Sequence, residues 1–134
     1  MTRSRPKGSA YEREVALAIG GRRTPLSGAV GGGDISLPEG SIFADWSWEA
    51  KRRSRLPALV MDALAQAESD IAIGDPRRPA VVMREDRGRS IFVCHLDDFV
   101  TWAEALAEIG NGAKVRELVR QMRRDLEQLE RSVR

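Results

Sequence analysis

The chain has 134 residues, the length of one compact domain and too short for two ordinary ones. With 42% hydrophobic and 31% charged residues it can bury a core, and 22 Lys+Arg against 20 Asp+Glu exclude the overwhelming positive charge of a histone-like protein. Any nucleic-acid footprint must therefore come from local clustering of charge. A single cysteine, Cys94, excludes an intramolecular disulfide and every multi-cysteine zinc site, and a single histidine, His95, makes histidine-centred hydrolysis a poor candidate.

No apolar run approaches the roughly 20 residues that span a bilayer, and the basic start of the chain has no signal-peptide core behind it. The expected compartment is cytoplasmic. Of the basic residues only Lys7, Lys51 and Lys114 are lysines. Arginine is the fixed phosphate clamp, whereas lysine is a compact point charge that can sit beside a reacting centre, so each lysine is informative.

In chain order, residues 1–8 carry Arg3, Arg5 and Lys7 around Pro6 and read as a mobile basic arm. Ser9 with Glu12 is a capping-box pattern opening a helix whose stripe is Tyr11, Val15, Ala18 and Ile19, ended by Gly20-Gly21. Two short strands are expected around the glycine-rich run Ser27 to Gly33, the second beginning at Asp34. Ser41 to Lys51 alternates, placing Ile42, Ala44, Trp46, Trp48 and Ala50 on one strand face and Phe43, Asp45, Ser47, Glu49 and Lys51 on the other. The two tryptophans are expected in the core or at a dimer interface.

Pro57 suits a first helical turn, and Leu56, Val60, Leu64, Ala67 and Ile71 recur at helical spacing up to Gly74. Residues 79–84 and 90–95 read as a buried hairpin around Glu85 to Gly88, which makes Cys94 and His95 structural. Asp97 or Asp98 can cap a helix bearing Phe99, Trp102, Ala103, Leu106 and Ile109 that stops at Gly110-Asn111-Gly112. A last helix, residues 113–134, lines up Val115, Leu118 or Val119, Met122, Leu126, Leu129 and Val133, a stripe suited to self-association.

The residues that can carry chemistry are Glu12, Asp34 and the triplet Glu49-Ala50-Lys51. Carboxylates converging near a lysine make a site for a hard divalent cation, and Mg²⁺ would suit the Asp34 and Glu49 side chains with the carbonyl of Ala50. Such an ion lowers the pKa of a bound water and offsets charge on a phosphoryl oxygen, while Lys51 orients the water or adds charge stabilisation. That is phosphodiester hydrolysis. The competing reading is a solvated strand edge with an ordinary ion pair, and for Glu12 a plain helix cap.

Lys7-Gly8-Ser9-Ala10-Tyr11-Glu12-Arg13-Glu14, Ser27 in a loop, Gly33-Asp34 and Glu49-Ala50-Lys51, in that order and spacing, resemble the archaeal-type Holliday junction resolvases and their phage-encoded relatives, within the PD-(D/E)xK nuclease superfamily. The resemblance covers about residues 7 to 95. It implies an α/β, restriction-endonuclease-like core, a central mixed β-sheet flanked by helices, which places a nuclease domain over residues 9–112; it gives no account of 113–134, expected as an added C-terminal helix. It also implies a homodimer, dependence on Mg²⁺ with Mn²⁺ able to substitute, and paired nicks in four-way DNA junctions.

Carried over by position, Glu12 is the helix carboxylate, Asp34 and Glu49 are metal ligands, and Lys51 is the catalytic lysine. Ser27 is the loop serine, Arg13 and Arg23 match arginines of the pattern, and Gln66 matches a position that is often glutamine in the superfamily. Gly33 stands where the pattern has proline. Arg3, Arg5, Lys7, Arg13, Arg23, Arg52, Arg53 and Arg55 would then contact DNA phosphates, which position without reading sequence. The alternatives are a nicking, flap or restriction-type nuclease with the same site, or a DNA-binding assembly protein without catalysis.

Overall fold

The computed structural model describes residues 4–25 and 33–133, with side chains from residue 8 onward apart from that of Val115. The elements are α1 (Ser4–Ile19), β1 (Arg22–Arg23), β2 (Ile35–Ser36), α2 (Ala58–Ser69), β3 (Val81–Met83), β4 (Ile91–Val93) and α3 (Leu96–Val133). The architecture is mixed α/β. Among the described residues the strands form two separate antiparallel pairs, β1 with β2 and β3 with β4. No described helix is long and apolar enough to cross a membrane.

The chain divides after Val100 into two units. In the first, α1 packs on the β1–β2 pair and α2 on β3. Its core is Val15, Ala16, Ile19, Ile35, Phe43, Ala50 and Leu64. The helix α1 begins earlier than the sequence pattern suggests: residues 4–8, expected as a mobile arm, are helical, and Ser9 lies inside the helix rather than capping it. Proline is tolerated in a first helical turn, so Pro6 does not stop the helix from starting upstream. The inward stripe is Val15, Ala16 and Ile19, while Ala18 is exposed.

The segment expected as one alternating strand divides in two. Residues 38–46 wind through successive turns, with Ser41 N–H donating to Pro38 O at 3.1 Å, Ala44 N–H to Ser41 O at 3.1 Å and Trp46 N–H to Phe43 O at 3.3 Å. The Ser41 hydroxyl also accepts from Phe43 N–H at 3.2 Å, a local bond that competes with strand pairing. These turns invert the expected faces: Phe43 is buried, and Ile42, Ala44 and Trp46 are exposed. Residues 47–51 form no strand either, but burial alternates along them, with Trp48 and Ala50 inward and Ser47, Glu49 and Lys51 outward.

The first half is anchored by rings. Phe43 lies edge-on to Trp48 at a centroid distance of 6.0 Å, and Phe99 stands 6.1 Å from Phe43, 6.1 Å from Trp46 and 6.4 Å from Trp48. Trp48 Nε1 donates to Phe43 O at 3.0 Å, which gives the indole its polar partner inside the cluster. Trp46 takes part in the cluster yet remains 60% exposed, so it is not a core residue of this chain.

Pro57 precedes α2 as expected, but the helix ends at Ser69 and Gly74 lies beyond it with φ of 85°. The hairpin is present, pairing Val81 with Val93 and Met83 with Ile91. Its strands are not buried, however: Val82, Ile91, Phe92 and His95 are exposed.

The second unit is the remainder of α3, which runs unbroken through Gly110-Asn111-Gly112 where a stop is expected. Two interior glycines cost about 1 kcal/mol each relative to alanine, and the strong helix formers around them outweigh that. At 100° per residue, the stripe of Trp102, Leu106 and Ile109 and that of Val119, Met122, Leu126, Leu129 and Val133 are centred about 150° apart. The change of face falls at the glycines.

Candidate functional site

Asp34 organises the candidate site. It is 6% exposed, and it is bonded through main chain and side chain alike. Its N–H donates to Trp48 O at 2.9 Å, its carbonyl accepts from Thr24 N–H at 2.8 Å, and its Oδ2 accepts from Ala50 N–H at 2.8 Å. The Asp34 carbonyl is thus committed to Thr24, and its carboxylate receives the Ala50 amide. A buried carboxylate is costly without hydrogen bonds to its charged form, and the Ala50 amide supplies one.

The two bonds to Trp48 and Ala50 bracket Glu49. The carboxylate-bearing residue 34 is thereby tied to the segment that carries Glu49, the Ala50 carbonyl and Lys51. Glu49 and Lys51 share the outward face, as the alternation predicts, and their side chains form an ion pair with Nζ 3.7 Å from Oε2. They are 57% and 70% exposed, so water screens this pair and it contributes little to stability. Both groups are open to an incoming ligand.

Gly33 makes this geometry possible. Its φ is +80°, and a Cβ there would lie 3.1 Å from Trp48 O and 3.2 Å from Ser47 Oγ. The residue that stands in place of the pattern's proline thus carries a backbone conformation that proline, fixed near −65°, cannot adopt.

Glu12 does not act as a helix cap. Its Oε2 accepts a hydrogen bond from Arg23 Nε, joining the middle of α1 to β1 in a partly buried ion pair. Sequence reasoning places both residues among the functional candidates but misses their pairing, because nothing in the spacing of 11 residues marks it. Gln66 sits on the exposed side of α2, its Nε2 donating to Asp70 Oδ1 at 3.2 Å. Arg13, Arg52, Arg53 and Arg55 are exposed. Ser27 and Arg3 lie outside the described residues, as do the side chains of Arg5 and Lys7.

Among the described residues no three His, Cys, Asp or Glu side chains gather as a ready metal cluster, so Glu12 is not brought together with Asp34 and Glu49 as a third ligand. The donor chemistry still fits a hard cation. Two carboxylates and a main-chain carbonyl on bonded neighbouring segments are oxygen donors of the kind Mg²⁺ uses while retaining several waters. No protein-family model, curated protein or solved structure matches this chain.

Proposed function

We propose that the chain is a Mg²⁺-dependent, structure-selective endodeoxyribonuclease that hydrolyses phosphodiester bonds at four-way DNA junctions, built around a restriction-endonuclease-like core and acting in the cytoplasm as a homodimer. The observation that carries the reading is the binding of Asp34 to residues 48–50, which sets one carboxylate against Glu49-Ala50-Lys51. A solvated strand edge has no need of a buried aspartate at that place.

In this reading Asp34, Glu49 and the Ala50 carbonyl hold Mg²⁺. When bound, the ion supplies an acidified water and offsets charge on the phosphate. The chain's own groups do the rest. The Ala50 amide fixes the orientation of the Asp34 carboxylate, and Lys51, exposed and 3.7 Å from Glu49, exchanges that partner for a phosphate oxygen or the attacking water. The Glu12–Arg23 pair positions α1 against the strand leading to the site. Arg52, Arg53 and Arg55, exposed just beyond Lys51, take neighbouring phosphates, and binding weakens steeply with salt. Resolution of a junction needs cuts in two opposed strands, which two copies supply.

The test is cleavage of a labelled synthetic four-way junction, beside linear duplex, flap and single strand, in Mg²⁺ and in EDTA. Symmetric, metal-dependent nicks confined to the junction are expected, and Asp34→Asn or Glu49→Gln should lower the rate by at least about 100-fold while junction binding persists. Cleavage retained in either variant overturns the site assignment. Cutting of linear duplex or flap with equal efficiency assigns a different nuclease, and tight binding with no cutting of any DNA overturns catalysis altogether.

A further inference from the structure

The second unit presents a surface that phosphodiester chemistry does not use. Val119, Met122, Leu126, Leu129 and Val133 follow one another along α3 at alternating steps of three and four residues, and all are exposed, from 44% at Val119 to 85% at Val133. That spacing averages 3.5 residues, the repeat that keeps a single seam turned toward a partner helix. Leu118, 62% exposed, flanks the seam and widens it.

Part of the polar side of the same turns is bonded within the helix. Arg120 and Arg124 both reach Glu117, at 3.4 and 3.2 Å, and Gln121 Nε2 donates to Asp125 Oδ1 at 2.9 Å. Glu117 is thus paired within the helix, while the apolar seam is exposed. Removal of such a seam from water is the main source of stability for a helix of this kind.

We propose that the seam is covered by the same seam of a second copy of this chain, with the two helices antiparallel. The seam is self-complementary. With Leu126 set against the partner's Met122, Leu129 faces the partner's Val119, and the same two contacts repeat by symmetry, so no polar residue enters these layers. The flanking charges choose the direction. Antiparallel packing in this register sets Arg116 against the partner's Glu130, twice by symmetry, while Arg123 and Asp125 each meet their own copies. Parallel packing sets Asp125 against the partner's Glu130 twice and provides no opposite-charge pair. Like-charge contacts number two in both arrangements, and the two attractive ones exist only in the antiparallel pair. The pairing makes no use of Asp34, Glu49 or Lys51, and it names the contact for the homodimer of the proposed function; cleavage lost in a chain that still dimerises tells against the nuclease reading alone.

Sedimentation equilibrium of the full chain tests this. The unmodified chain should be a dimer at micromolar concentration, and Leu126→Glu should weaken it at least about 100-fold, with helical circular dichroism read on the same samples. Glu130→Arg should loosen the dimer about tenfold, and adding Arg116→Glu should restore it. A monomer or a trimer overturns the proposal, as does a dimer indifferent to Leu126→Glu. Tightening by Glu130→Arg overturns it too, since that result belongs to the parallel arrangement. Should Leu126→Glu lose its helix, the charge-reversal pair decides alone.

Discussion

In the first unit Val15, Ala16, Ile19, Ile35, Phe43, Ala50 and Leu64 are buried, whereas among the described residues of the second unit none is. There Trp102, Leu106, Ile109, Leu118, Val119, Met122, Leu126, Leu129 and Val133 are all exposed. Polar contacts divide the same way. The first unit bonds across long stretches of sequence, Asp34 to Ala50 and Glu12 to Arg23, while in the second Glu117 bonds along its own helix with Arg120 and Arg124. Apolar content alone therefore does not make a core. Residues 8–50 return on themselves, so their apolar side chains can meet, and a single helix cannot do this for its own stripe.

The contrast is broken most strongly by truncating the ring cluster. Phe43→Ala should lower the unfolding free energy by about 3–5 kcal/mol, whereas Leu129→Ala, measured where the chain is monomeric, should change it by less than about 0.5 kcal/mol. Urea unfolding of the two variants side by side provides the check, and equal losses would erase the distinction.

A smaller effect is expected at Asp34, where structure and chemistry overlap. Asp34→Ala leaves the buried Ala50 N–H without its acceptor and should cost about 1–3 kcal/mol. Asp34→Asn keeps an oxygen in that position and should recover most of the loss while abolishing metal-dependent cleavage. Thermal melts and junction cleavage on the same two preparations separate the two roles.

The smallest effect concerns Cys94. Partial burial pushes its thiol pKa up, and the negative charges of Asp98 and then Asp97 add to the rise. The neutral thiol is thus favoured in the folded chain. Alkylation by iodoacetamide at pH 8 should be slower than for an unhindered cysteine and should accelerate on going to higher pH. The folded state holds this proton more tightly, so stability falls as pH rises from the unfolded thiol's pKa to the folded one. An alkylation rate equal to that of a free thiol at pH 8 would contradict the burial.

Where local chemistry and long-range packing agree, the elements are legible in the sequence. Pro57 marks the start of α2, the β3–β4 hairpin falls on its two apolar runs, and Glu49 and Lys51 share a face because period-2 alternation holds from Ser47 onward. Residues 41–46 follow the same alternation by residue type and yet fold into turns. There the Ser41 hydroxyl and three short-range backbone bonds outcompete a strand, and counting apolar positions is blind to that chemistry. The unbroken α3 is illegible for the opposite reason, since two glycines are local signals overruled by their neighbours. Of the candidate site, the sequence marks Asp34 and the triplet Glu49-Ala50-Lys51, and the structure ties Asp34 to Trp48 and Ala50. The Glu12–Arg23 pairing and the bond from Ala50 N–H to the Asp34 carboxylate are tertiary facts that no spacing encodes.

Gly33 has a consequence that concerns handedness rather than size. The bond from Asp34 N–H to Trp48 O is reached through a left-handed step at residue 33. An L-alanine there would carry both the strain of positive φ and a Cβ pressed toward Trp48 O. A D-alanine, introduced by chemical ligation, favours positive φ and directs its methyl group away from that carbonyl. The mirror-image residue would hold Asp34 in place while narrowing the conformations open to the unfolded chain. The backbone ahead of the candidate site thus takes a left-handed step, as it does at Gly20, Gly40 and Gly74, and glycine is the genetically encoded residue that makes such a step with least strain.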